Sequence, residues 1–445
     1  MIHIEAPTRK QGQQPVISLA TEPLAVIRIA FVGLGKRGMV GLERWLHLPD
    51  IVVTALCDLS ADNLETAGRL IESAGHPAPI LYQGPTGYRQ LCARPDVDLV
   101  YVCTDWLHHS DIAVEAMRQG KHVAIEVPAA MTLDDIWLLV DTAEQTRRHC
   151  MMLENSVYDF FELAVLNMAR HGIFGDILHA EGGYLHNLEG KWEDWRMHYN
   201  ACHRGDIYPT HGFGPACQLL NIHRTDWLDY LVAMDTQPVM GPQRYHQLFG
   251  ETPTQFLNGD QTTTLVRTRR GRTIVIQHNV MTPQPYNRLY QVTGTDGYAI
   301  KYPVPQICLS ADKVRLLGFT IPDGYDERQP LPQDIQKELL QRYEPSYVSQ
   351  LKGRGSQLDH YGGMAYFMDY RLCHALHEGL PLDMDVYDLA EWCSLAPLSE
   401  ISLEHRSEPV SIPDFTRTQP PCTDKSLQQT DRQSSTSSAC TNLHA

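Results

Sequence analysis

The stretch VIRIAFVGLGKRG, residues 26–38, joins a β-branched apolar run to three glycines, Gly33, Gly35 and Gly38. A short apolar run of this kind predicts a buried strand, and the segment after it, MVGLERWLHL (39–48), has helical spacing. A Gly-x-Gly-x-x-Gly pattern alone is a weak signal, but here it stands between a strand and a helix, the context in which it cradles a dinucleotide. Gly33 permits the tight turn, Gly35 lets the backbone approach a pyrophosphate, and Gly38 allows close helix–strand packing. The helix N-terminus then offers free N–H groups to the phosphates. Asp58 closes the next apolar run, IVVTALCD (51–58), where a carboxylate accepts hydrogen bonds from an adenosine ribose. Because that carboxylate would repel a 2′-phosphate, NAD is expected rather than NADP.

The alternation continues. VDLVYVCT (97–104), HSDIAVEAMRQG (109–120) and KHVAIEV (121–127) read as strand, helix and strand, the rhythm of a doubly wound parallel sheet. Residues 27–154 are thus expected to form an α/β Rossmann domain, preceded by an aperiodic arm at 1–26. From Asn155 the pattern changes to an amphipathic helix, VYDFFELAVLNMARHG (157–172), and an extended stretch at 176–186. Strand-like segments between residues 261 and 302 carry the turn signals RRGR and GTDG. Residues 155–415 therefore predict an α+β domain with a largely antiparallel sheet. Helical periodicity returns at 356–378, and the Ser-, Thr-, Gln- and Pro-rich tail, 416–445, is expected to be disordered because it has too little apolar surface to bury.

Composition narrows the function classes. The chain has 445 residues, 43% hydrophobic and 20% charged, with a formal net charge of −16. No apolar run reaches the roughly 18 residues of a membrane span, and an acidic chain without a basic stripe is a poor partner for nucleic acid. The eleven cysteines are scattered, without the paired spacing of a zinc site or the density of a disulfide scaffold. His108, His109, His203 and His223 show no i, i+4 pair with a glutamate, so no metal is expected. The N-terminus has no apolar core followed by a small-residue cleavage site, which predicts a cytoplasmic protein.

The glycine turn, Asp58, TDWLHH (104–109) and EVP (126–128) together resemble the glucose-fructose oxidoreductase and inositol dehydrogenase (Gfo/Idh/MocA) family. Members of that family carry Glu-Lys-Pro where HVAIEVPAA (122–130) has Val127 between Glu126 and Pro128, and the lysine assists proton transfer during sugar oxidation. A valine cannot. Further blocks, MMLENSVYDFFELAVLNMARHGIFGDILHAEGGYLH, WEDWRMHYN, RGDIYPTHGFGPACQLLNIHR and QPYNRLYQVTGTDG, resemble glycoside hydrolase family 109, whose members are NAD-dependent exo-acting N-acetylgalactosaminidases. This answers the question that Val127 poses, since such enzymes make no net oxidation. The mechanism implied is oxidation at C3 of the sugar, removal of the acidified C2 proton, loss of the aglycone from C1, addition of water and reduction back at C3. It needs no pair of carboxylates flanking the glycosidic bond.

By motif, the resemblance implies that Lys36, Arg37, Asp58, Trp106, Leu107, His108, His109, Glu126, Val127 and Asn155 contact NAD along with the glycine turn. Tyr184, Arg196, Tyr208, Pro209, Thr210, His211 and Tyr286 would hold the sugar. His211 leads as the proton-transfer residue because imidazole titrates near neutral pH, with Tyr208 or Tyr184 as the second. Each has a packing alternative: a histidine after YPT can be a cap, strand tyrosines often pack, and Arg196 could pair with Glu193 or Asp194. The expected partner is a small-molecule or glycan substrate ending in N-acetylhexosamine, and a homo-oligomer is compatible with this reading. The competing functions are an NAD-dependent sugar or polyol dehydrogenase and a catalytically silent NAD- or sugar-binding protein.

Overall fold

A computed structural model describes residues 1–321, 324–359 and 362–418. Six strands, β1 (Ile27–Val32), β2 (Ile51–Asp58), β3 (Ile80–Gln83), β4 (Leu99–Val102), β5 (His122–Ile125) and β6 (Cys150–Met152), form one parallel sheet in the order β3-β2-β1-β4-β5-β6. Helices between the strands cover it, so β4 and β5 are buried throughout and read as continuous apolar runs. The strand order reverses between β1 and β4, and in such sheets the crevice at the carboxyl ends of those strands takes the ligand. Ser60, the expected cap, accepts from the Asn63 N–H at the start of the helix Ala61–Ser73.

The second sheet holds β7 (Ile177–Leu185), β8 (Leu228–Asp235), β9 (Thr262–Thr268), β10 (Thr273–Asn279), β11 (Gln291–Gly294), β12 (Gly297–Ile300), β13 (Gln306–Leu309) and β14 (Val410–Ser411). Their order is β13-β12-β11-β7-β10-β9-β8-β14. The pairing is antiparallel except for β7 with β10, which run parallel across a long intervening crossover. The helix Thr210–Leu220 lies directly on β7. A Cβ on Gly182 would come within 2.3 Å of the Gly212 carbonyl oxygen, so the two glycines allow the backbones to touch. That contact brings the first turn of the helix beside Tyr184.

The helix Val386–Glu404 packs against both the helix Leu133–Thr146 and β8 and is buried on nearly every side. A helix with no polar face has no amphipathic stripe to reveal it in sequence. Residues 1–26 form no helix; Ile2 bridges to Val410, and the Leu24 N–H donates to the Leu376 carbonyl. Arg417, expected in the polar tail, instead pairs with Asp141 and Glu144, and Thr416 is buried. Most of that tail lies outside the described residues. Among those described, no helix is long and apolar enough to cross a membrane.

Candidate active site

A single open cavity of about 900 Å³ runs from the carboxyl edge of the first sheet to the helix-covered side of the second. Its first half is built largely from backbone. Gly33 has φ of +93°, and a Cβ there would lie 2.2 Å from the Cys103 carbonyl oxygen; one on Gly38 would lie 2.1 Å from that of Gly33. Gly35 differs, since the space around it is open. Gly33 and Gly38 are thus required by the turn and by helix–strand packing, and Gly35 leaves open space of the kind through which such a loop approaches a pyrophosphate. Asp58 ties the loop down: its carboxylate accepts from the N–H of Leu34 (2.6 Å) and Ser60 (2.8 Å) and from Asn63 Nδ2 (3.2 Å). It also lines the cavity, where its remaining lone pairs can meet a ribose.

Arg37 does not extend toward that ribose. Its Nε donates to Glu126 (2.9 Å), which also accepts from the Tyr101 hydroxyl (2.7 Å). Burial alone would raise the Glu126 carboxyl, but the Arg37 charge and Tyr101 together hold it below its ordinary range. Arg37 Nε is thus engaged by Glu126, while Asp58 presents a carboxylate to the cavity, a group that suits a 2′-hydroxyl better than a 2′-phosphate. Gly33, Gly35, Lys36, Arg37, Gly38, Asp58, Trp106, His108, His109, Glu126, Val127 and Asn155 all line the cavity. Leu107 does not: it is 63% exposed, on the outer side of the short turn Trp106–His108.

The second half is made of side chains. Tyr184 on β7, Tyr208 and His211 at the start of the helix Thr210–Leu220, and Tyr286 all line it. Tyr184, Tyr208 and His211 lie ring to ring with centroids 5.0 Å apart in each pair. Pro209 and Thr210, expected to touch the sugar, are buried and do not line the cavity, whereas Tyr208, just before the helix, and His211, in its first turn, do. Arg196 is stacked among Trp106 (5.1 Å), Trp192 (5.8 Å) and Tyr208 (5.0 Å). It pairs with no carboxylate among the described residues, so the ion pairs with Glu193 or Asp194 do not form. Trp106 also packs edge-on against Trp195 at 5.0 Å, joining the two halves of the cavity.

The sequence reading missed two groups here. Glu154 is wholly buried, and its Oε1 lies 2.6 Å from His211 Nδ1 while accepting from the Ser156 N–H (3.0 Å) and hydroxyl (2.6 Å). Burial opposes ionisation, but His211 and these hydrogen bonds outweigh it and bring the carboxyl down to about 2. Its place just beyond β6, at the carboxyl edge of a parallel sheet, was the signal that could have revealed it. His186, the second group, also lines the cavity, and burial together with Lys191 and Arg196 pushes its imidazole down to about 4.

The four histidines considered for a metal stand apart. His108 contacts Asp105, His109 sits between the carbonyls of Pro128 and Thr104, and His203 faces Glu400. His223 meets Glu391 at 2.8 Å beside Asp388, a group away from the cavity in which Arg224 already engages both Asp388 oxygens.

Comparison with known proteins agrees with this geometry. Residues 27–154 match the oxidoreductase family with an NAD-binding Rossmann fold, and residues 158–420 match the C-terminal domain of glycosyl hydrolase 109. The chain is 52% identical over 421 residues to glycosyl hydrolase family 109 protein 1 of Bacteroides thetaiotaomicron, covering 94% of this chain and 90% of that one. The chain belongs to glycosyl hydrolase family 109. A second family 109 protein, from Porphyromonas gingivalis, is 50% identical with the same coverage. Among solved structures, levoglucosan dehydrogenase in complex with NADH superposes with a TM-score of 0.64 at 16% identity, covering 87% of this chain and 99% of that one. A probable dehydrogenase from Thermotoga maritima gives 0.61 at 17% identity, with 86% and 98% covered. These two likenesses show the fold. The family 109 chain is an enzyme with NAD as its cofactor, and its Rossmann half supplies the site for it.

Proposed function

We propose that this family 109 protein hydrolyses terminal N-acetylgalactosamine from glycans or small glycosides by a cycle of oxidation, elimination, addition and reduction. The observation that carries this reading is the continuity of the cavity, which sets the glycine loop and Asp58 at one end and His211, Tyr208 and Tyr184 at the other. Bound at the first end, NAD supplies a reversible oxidation at C3 of the sugar. His211 is then the base for the C2 proton, and Tyr208 or Tyr184 serves the second proton transfer. Burial, reinforced by Tyr184, holds the Tyr208 hydroxyl well above its ordinary range, so it acts as a donor and not as a phenolate. Arg196, free of carboxylates, is available to sugar oxygens. Val127, buried in the cavity wall, puts a methyl-bearing side chain where a sugar dehydrogenase of this fold has an ammonium.

The test is to incubate the enzyme with p-nitrophenyl N-acetyl-α-galactosaminide and follow nitrophenol and NADH absorbance together. Nitrophenol without net NADH is expected. Steady NADH from free sugars would identify a dehydrogenase instead, and neither signal a silent binding protein. A companion substrate carrying deuterium at C2 should turn over more slowly or lose its label to solvent. A product that keeps all its deuterium without any slowing would rule out elimination.

A further inference from the structure

We propose that Glu154 is a positioning residue for His211: it holds the imidazole with its proton on Nδ1, leaving Nε2 to meet the substrate, and steadies the positive charge that His211 gains on accepting a proton. This rests on the reading of His211 as the proton-transfer residue. The geometry is specific. His211 Nδ1 and Glu154 Oε1 are 2.6 Å apart, the distance of a charge-assisted hydrogen bond, and the glutamate side chain has no exposure. Two donors from Ser156 aim at the same Oε1, so the acceptor cannot swing away from the ring. Since a carboxylate can only accept, the shared proton belongs to Nδ1, and the lone pair is left on Nε2.

The partners also come from different halves of the molecule. Glu154 caps the short turn Asn155–Tyr158 that leaves the parallel sheet, whereas His211 is the second residue of the helix lying on β7. The contact therefore aligns the base with the cofactor crevice as well as with the sugar. A histidine in the first turn of a helix feels the positive end of the helix dipole, which disfavours its protonation. Glu154 offsets that field from the side opposite the cavity. The other titratable groups around the ring are Tyr184, Tyr208 and His186, and among the described residues no second carboxylate lies within ion-pair distance of it.

The experiment compares wild type with Glu154→Gln and Glu154→Asp, using three readouts: kcat and KM on the nitrophenyl glycoside across pH, NAD affinity, and ring ¹⁵N shifts after histidine labelling, with His211→Gln to assign the signal. In wild type the ¹⁵N shifts should place the proton of neutral His211 on Nδ1. Glu154→Gln should lower kcat roughly 10²-fold or more, within the range for misplacing a general base. KM and NAD affinity should stay near wild type, and the acid limb of the rate profile should move to lower pH because the imidazolium has lost its counter-charge. Glu154→Asp, which keeps the charge, should return the acid limb toward its original position. A merely structural glutamate would move stability and NAD affinity but not that limb. The proposal is overturned by a wild-type ring carrying its proton on Nε2, or by a Glu154→Gln enzyme with unchanged kcat and acid limb. The ¹⁵N measurement needs no turnover, so it decides the matter even if the substrate reading fails or the glutamine variant folds poorly.

Discussion

The two ends of the cavity are built by different means. The frame of the cofactor end is local in sequence: Gly33, Gly35, Gly38 and Asp58 lie within 26 residues and the glycines offer backbone N–H groups and open space, with side chains between Trp106 and Asn155 completing the wall. The sugar end gathers Tyr184, Arg196, Tyr208, His211 and Tyr286 across about a hundred residues and presents rings and charges. A backbone-built site tolerates change except where a Cβ would collide, whereas a side-chain-built site depends on each group. Binding and chemistry should accordingly separate on mutation.

The largest effect should come from the sugar end. His211→Ala is expected to lose roughly 10²- to 10⁴-fold in turnover with NAD affinity near wild type. Fluorescence titration with NAD beside steady-state rates checks this, and a matched loss of NAD binding would break the division. A smaller effect of opposite kind is expected from Asp58→Ala. Removing charge-assisted hydrogen bonds worth about 1.5–3 kcal/mol should weaken NAD roughly 10- to 100-fold, while kcat at saturating NAD changes little. Calorimetric titration measures it, and unchanged affinity would show the cofactor to be elsewhere.

A third effect concerns acid stability and sharpens the contrast from the protein's side. Burial, with help from Arg196 and His186, pushes His278 behind Tyr184 down to about 3, against an ordinary 6.5. The unfolded chain thus binds a proton there below pH 6.5 that the folded chain refuses until about pH 3. The stability contributed is complete above 6.5 and falls with pH by up to about 1.4 kcal/mol per unit within that window. His278→Gln should flatten the acid decline of the melting temperature between pH 6 and 4. A curve parallel to wild type would show that His278 does not carry it.

Much of the fold was legible because its signals are local. The glycine turn, the alternating runs up to residue 127 and the RRGR and GTDG turns all stand where elements were expected. The edge strand β3, half-exposed and four residues long, gave no such signal, and the helix Val386–Glu404 hid its period because it is buried on nearly every side, with its polar residues spread around it. At the site, Leu107, Pro209 and Thr210 do not line the cavity although neighbours in their motifs do. Which members of a motif face the cavity depends on the helical turn and on what packs behind it.

What the sequence determined by itself was the glycine turn between strand and helix, since a steric requirement on three glycines can be read without coordinates, whereas the tyrosines and histidine of the other end were implied by family resemblance. Only the tertiary structure decided how those groups are partnered. Arg37 is spent on Glu126, Arg196 is caged by aromatic rings, and His211 leans on Glu154 from 57 positions away. Such pairings follow from the close approach of β7 to a helix and from the turn that leaves the parallel sheet. Hydrogen bonds between distant segments depend on distances that only packing fixes, and the identity of the residues does not reveal them.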